Sequence, residues 1–218
     1  ADGVRALAEA SLSALGRVDL LVNNAGSITA GAIGDVALED WRHVLDVNLW
    51  GVIYGCHYFV PILRKQGRGL VINVASVAGL VSTPELGPYN VSKAAVVSLS
   101  ATLATELSQT DVGVTVLTPS MVKTSLLNRM RTPDSTLRDM GARLMSKTGV
   151  TPESIAKAAL RGAQRGQLYV VPQWDAKLLW SLQRITPTLE RWLAKRLYGS
   201  GWLSRQRALE PEEESEEA

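Results

Sequence analysis

Four short apolar runs, separated by helix-length segments, restrict this chain to very few folds. They are Val18–Val22, Gly69–Ala75, Val112–Thr118 and Gln167–Val171. Runs this short and this continuously apolar suit strands buried on both faces of a parallel sheet. The first stops at Asn23-Asn24-Ala25-Gly26, the second delivers Ser76, and the third ends at Pro119. Helical patterns fill the intervals: Val4–Leu15 up to Gly16, Leu38–Gln66 up to Gly67, and Pro88–Ser108. A fourth, to Arg165, opens on the capping sequence Thr151-Pro152-Glu153. The alternation predicts a doubly wound parallel α/β sheet. Ligands of such sheets bind beyond the carboxyl ends of the strands, where Asn23, Ser76 and Pro119 fall.

The chemistry-bearing residues gather near those ends. With Pro88 opening a helix, Tyr89 and Lys93 project from one face, four residues apart. A free tyrosine titrates near ~10. A nearby ammonium favours the phenolate, so the pair predicts a lowered phenol pKa and a usable acid/base. Ser76, arriving from another strand, can hold the oxygen of an alcohol or carbonyl. Each residue alone has a plainer reading. Tyr89 would be a half-buried aromatic, Lys93 a solvated cation, Ser76 a loop hydroxyl, Asn48 a surface or kink residue, and Asn23–Gly26 a turn.

At 46% hydrophobic and 20% charged residues, the composition is that of an ordinary globular protein. The formal charge of +2 conceals six glutamates after Leu209; without them 23 basic residues face 15 acidic ones. The basic residues are scattered, which argues against a nucleic-acid partner. Cys56, the single cysteine, excludes an intrachain disulfide and a cysteine-rich zinc site and reads as a small buried apolar residue. His43 and His57 read as structural, and no metal is expected. No run reaches the roughly 18 apolar residues of a membrane span, and no signal peptide opens the chain. The expected location is cytoplasmic, with peripheral membrane contact as the variant.

Taken in order, the motifs resemble those of the short-chain dehydrogenase/reductase family of Rossmann-type oxidoreductases, from the N-terminus to about Val171. Asn23-Asn24-Ala25-Gly26 resembles the element that steadies the central sheet and borders the cofactor's adenosine half. Asn48 matches the helix asparagine that holds a relay water. Ser76 stands thirteen positions before Tyr89, the family interval, and Tyr89 and Lys93 match the Tyr-x-x-x-Lys pair. Pro119-Ser120-Met121-Val122-Lys123-Thr124 resembles the Pro-Gly-x-Val-x-Thr segment beside the nicotinamide, with Ser120 in place of the common glycine.

The resemblance implies interconversion of an alcohol and a ketone or aldehyde, with Asn48, Ser76, Tyr89 and Lys93 catalytic. It implies NAD(P), NADP being favoured, held by Asn23, Ala25, Gly26, Tyr89, Lys93, Pro119, Val122 and Thr124. It also implies a homodimer or homotetramer, built on the helices around Asn48 and after Tyr89. The family's first βαβ unit, with its Gly-rich phosphate-binding turn, has no counterpart in these residues. The expectation is a Rossmann-like sheet lacking that unit, a fragment of a longer enzyme and inactive by itself. The alternative function is a noncatalytic binding protein on the same fold.

Three regions follow from this reading. Residues 1–173 form the partial catalytic domain, in which Ser120–Val150, weakly patterned and methionine-bearing, reads as a mobile flap. Residues 174–203 form two amphipathic helices divided at Thr186-Pro187. Their apolar positions are Leu178, Leu182, Ile185, Leu189, Trp192, Leu193 and Leu197, and seven basic residues face two acidic ones between Trp174 and Leu209. A lid or subunit contact, a membrane-surface helix pair, and core packing all remain open for them. The first two suit a hydrophobic lipid-, retinoid- or steroid-type substrate. Residues 204–218 read as a disordered acidic tail.

Overall fold

Alternation of side chains along the strands decides the layering. In β2 (Arg68–Val74) and β3 (Asp111–Leu117), Val71, Val112, Val114 and Val116 point to one face and Ile72 and Leu117 to the other. Both faces are therefore apolar and both are covered by helices. β1 (Leu20–Asn23) and β4 (Tyr169–Val170) complete a four-stranded parallel sheet in the order β1-β2-β3-β4. The computed structural model describes residues 1–199, residue 197 by its backbone alone. The acidic tail, the end of the second amphipathic helix and the Leu197 side chain lie outside the described residues.

On the first face, α1 (Asp2–Leu15), α3 (Gly51–Gln66) and α4 (Gly87–Glu106) pack Ala8, Phe59, Leu63, Leu103 and Leu107 against Leu21, Val71 and Val114. On the other, α6 (Pro152–Gln164) sets Ile155, Ala159 and Ala163 against Ile72, Leu117 and Val170. The Thr151 hydroxyl caps α6, accepting from the Ser154 N–H. The long helix expected over Leu38–Gln66 is one helical rod with an internal irregularity. α2 (Leu38–Leu45) passes through a π-helical turn at Asp46–Trp50 into α3. Asn48, the poor helix former at its centre, occupies that widened turn.

The interior contains a polar strut. Asn23 Nδ2 donates to Asn73 Oδ1 at 2.8 Å, and Asn73 Nδ2 donates to Ser100 Oγ at 3.0 Å, tying β1, β2 and α4 together. Gly55 is the reason this strut fits, because a Cβ there would overlap the Asn23 carboxamide. Cys56 sits beside it on α3, half-buried. Desolvation raises its pKa from 9.0 to about 11, so it remains a thiol at neutral pH.

Two regions differ from their pattern in sequence. Within Ser120–Val150, Ser135–Ser146 forms a helix, α5, and Leu126–Arg129 a single 3₁₀ turn. Leu127, Met130 and Leu137 from this segment bury themselves against Ile28, Ala30 and Tyr89. The segment is also stitched to residues 28–31 by backbone bonds between Ala30 and Arg131 and between Arg131 and Ile28. Beyond β4, α7 (Trp174–Ile185) and α8 (Pro187–Gly199) meet at the predicted Thr186-Pro187 break. Ala176 is buried, but the ends of the apolar stripe are not core: Trp174 and Ile185 are 77% and 78% exposed.

Candidate active site

The carboxyl ends of β2 and β3 are stitched together beyond the regular strands. Ala75 N donates to Leu117 O at 2.8 Å, and Val77 N to Pro119 O at 2.9 Å. Ser76 is thereby fixed between them and opens a 3₁₀ turn at Val77–Gly79, its Oγ accepting from Ala78 N at 3.2 Å. That turn packs against α4, where Gly79 lies so close to the helix backbone that a Cβ would stand 2.6 Å from the carbonyl carbon of Lys93. Pro88 occupies the first turn of α4, so Tyr89 and Lys93 project together toward Ser76.

All three side chains are buried, at 8% exposure for Ser76 and Tyr89 and 4% for Lys93, and all three line one cavity of about 690 Å³. The phenol differs from the expectation of a lowered pKa. Burial raises it above its ordinary value, and the Ser76 hydrogen bond opposes this only in part. Lys93 is too far away to reverse the order. Its Nζ lies 5.7 Å from the ring centroid and donates to Val74 O at 2.9 Å. Desolvation also brings its own pKa down from 10.5 to about 8. The site thus holds a neutral phenol beside a weakly held ammonium.

The lysine gives the fold a pH dependence. Unfolded, Lys93 keeps its proton up to about 10.5, whereas folded it begins to lose it near 8. Between those values the unfolded chain binds more protons, so stability rises with pH. The raised phenol pKa of Tyr89 acts in the opposite sense only above its unfolded value of 10.0. Denaturant titrations at pH about 8 and about 10 should show a gain in the wild type relative to Lys93→Met. Parallel behaviour of the two proteins would contradict a buried, desolvated ammonium.

Asn48 is fully buried. Its Nδ2 donates to Ser27 O and Ser92 Oγ, both at 2.9 Å, and its Oδ1 accepts from Ser27 N at 2.8 Å. This reciprocal pair clamps the chain leaving β1 onto the π-helical turn and α4. His43 Nε2 lies 3.1 Å from Ser27 Oγ and joins the same clamp.

The remaining predicted residues divide. Ala25, Gly26, Pro119, Val122 and Thr124 line the cavity with the triad. Asn23 does not; its side chain turns into the sheet strut, and Asn24 stands on the cavity wall instead. Ser120, the departure from the common glycine, has its own function. Its Oγ donates to Asp175 Oδ2 at 2.7 Å and its N–H to Gln173 Oε1 at 3.0 Å, anchoring the start of α7 beside the cavity. Leu126, Arg129 and Met145, also on the wall, escaped the sequence reading because the flap shows no periodic pattern.

Comparison with known proteins bears on the fold. A family model described as short chain dehydrogenase matches residues 1–135. An 11-beta-hydroxysteroid dehydrogenase A of Sesamum indicum is 30% identical over 210 residues, which are 91% of this chain and 58% of that protein. A 3-alpha-(or 20-beta)-hydroxysteroid dehydrogenase of Mycobacterium tuberculosis is 38% identical over 121 residues, 56% of this chain and 46% of that protein. The chain thus spans roughly half of these relatives' length. Among solved structures, a short chain dehydrogenase/reductase from Burkholderia phymatum in complex with NAD superposes with a TM-score of 0.79 at 30% identity. That match covers 86% of this chain and 72% of the other.

Proposed function

Because the chain belongs to the short-chain dehydrogenase family, we propose that it supplies the proton-transfer half of an NAD(P)-dependent interconversion of an alcohol and a carbonyl compound. The observation that carries this reading is the convergence of Ser76, Tyr89 and Lys93 on one cavity with Pro119, Val122 and Thr124. A nicotinamide bound there would accept or supply the hydride. Tyr89 Oη holds or releases the proton at the substrate oxygen, and Ser76 Oγ orients that oxygen. The neutral phenol is ready to donate to a carbonyl. The Lys93 ammonium has three protons and, among the described residues, one hydrogen-bond acceptor, Val74 O. It therefore has donors left for a ribose hydroxyl and a charge with which to favour the phenolate in the oxidative direction. Asn48 maintains the clamp beneath both.

The fit is to the nicotinamide end of the cofactor. These 218 residues contain no Gly-rich turn of the family's phosphate-binding type. β1 presents Leu20 and Val22, both exposed, on the cavity wall at the edge of the sheet. The substrate class we favour is a hydrophobic secondary alcohol or its ketone. Leu126, Met145, Ile155 and Leu160 give the cavity an apolar wall, and two of the relatives carry hydroxysteroid dehydrogenase names.

The test is a panel of apolar alcohols and ketones offered to the full-length chain with NAD or NADP, read at the reduced-nicotinamide absorbance band. A change with at least one hydrophobic member is expected. Cofactor binding seen by fluorescence, with no absorbance change across the panel, would assign the fold to a noncatalytic binder.

A further inference from the structure

α7 and α8 carry an apolar stripe that no other described residue covers. On α7, Trp174, Leu178 and Ile185 stand at helical spacing on one side, all exposed. On α8, Leu189, Trp192 and Leu193 repeat the arrangement. Cations border the stripe. Lys177 and Arg184 flank it on α7, Arg196 lies 5.3 Å over the Trp192 ring, and Arg184 lies 5.1 Å over that of Trp180. Lys177 also reaches a second cavity of about 540 Å³, which it shares with Arg161 of α6 and Arg165 at that helix's C-cap, above Tyr169 and Trp180. Among the described residues, none of these three cations has an ion-pair partner. The two acidic residues of α7 and α8, Asp175 and Glu190, are outnumbered by Lys177, Arg184, Arg191, Lys195 and Arg196.

An apolar stripe with tryptophans, bordered by unpaired cations, matches the layering of an anionic bilayer, in which acyl chains lie just below phosphates. Indole rings favour that boundary, and long basic side chains extend from it to the headgroups. We propose that the α7–α8 face seats on an anionic phospholipid surface, with a lipid phosphate held in the Arg161–Arg165–Lys177 cleft. The Ser120–Asp175 and Met121–Gln173 bonds join this face to the Pro119–Thr124 wall of the catalytic cavity. The docked protein therefore holds its substrate cavity near the lipid. The proposal stands independently of the oxidoreductase reading.

Sedimentation of the full chain with phosphatidylcholine vesicles, with and without phosphatidylserine, tests it. Binding should appear with the phosphatidylserine vesicles. R161Q/R165Q/K177Q should weaken it about a hundredfold, each cation near the surface accounting for about fivefold. W174S/I185S should weaken it about tenfold or more. These side chains are exposed, so thermal unfolding of both variants should match the wild type. Deletion of residues 204–218 should leave binding in place. No binding to phosphatidylserine vesicles, or equal binding by wild type and variants, would overturn the proposal. Binding that emerges only after the tail is deleted would assign the face to the tail and also overturn it. So would a fall in the solution mass of W174S/I185S by half, which would assign the face to a second copy.

Discussion

Tyr89→Phe in the full-length chain should lower turnover by about 10²–10⁴-fold, the usual contribution of a positioned proton donor, and leave cofactor affinity near the wild-type value. The substitution is informative because the structure separates the ring from its hydroxyl. The ring packs against Ile28, Ala78, Leu127, Met130 and Leu137, contacts that phenylalanine retains. The hydroxyl's neighbour Ser76 keeps its bonds to Ala78 N and Pro119 O. Stability should therefore change little. A Tyr89→Phe protein with wild-type turnover would remove Tyr89 from the chemistry; one that unfolds early would show the phenol to be structural.

Gly79→Ala should be the most disruptive single methyl at the site. Its Cβ would lie 2.6 Å from both the carbonyl carbon and oxygen of Lys93 and 3.0 Å from Ala94 N, all backbone atoms that cannot rotate away. The 3₁₀ turn and α4 must separate, at a cost of about 1–3 kcal/mol. The separation also moves Ser76 relative to Tyr89, so the variant should lose turnover even when fully folded at low temperature. Urea unfolding and activity measured on one preparation distinguish the two effects. A variant with wild-type stability would show that the turn and helix pack less closely than the structure indicates.

The alternation of apolar runs and helices made the sheet readable, because strands buried on both faces leave continuous Val/Ile/Leu runs. Ser76, Tyr89 and Lys93 were readable for a related reason: the fold places strand ends together, and a four-residue helical spacing fixes one face. The pKa order was not readable. Spacing placed a cation near a phenol but carried no information about desolvation, which in the folded chain outweighs it at Tyr89. The motif resemblance gave the Asn23–Gly26 element two parts, steadying the central sheet and bordering the cofactor. The Asn23 side chain takes the first, through Asn73 fifty residues away, and no local pattern in the residues themselves divides the two parts. α5 was missed because only Leu137 and Gly141 on it are buried, too few to give a periodic stripe. The exposure of Trp174 and Ile185 was likewise invisible, since an amphipathic pattern is the same whether its apolar side meets protein or solvent.

The central claim is that the cavity holding Ser76, Tyr89 and Lys93 carries out hydride transfer. It is tested most directly with a secondary alcohol bearing deuterium on its carbinol carbon, turned over by the full-length chain with oxidised cofactor. The account predicts that the label appears on the nicotinamide ring of the reduced cofactor, and that Tyr89→Phe suppresses its appearance. Deuterium recovered in water, or retained in unreacted alcohol throughout, would contradict it.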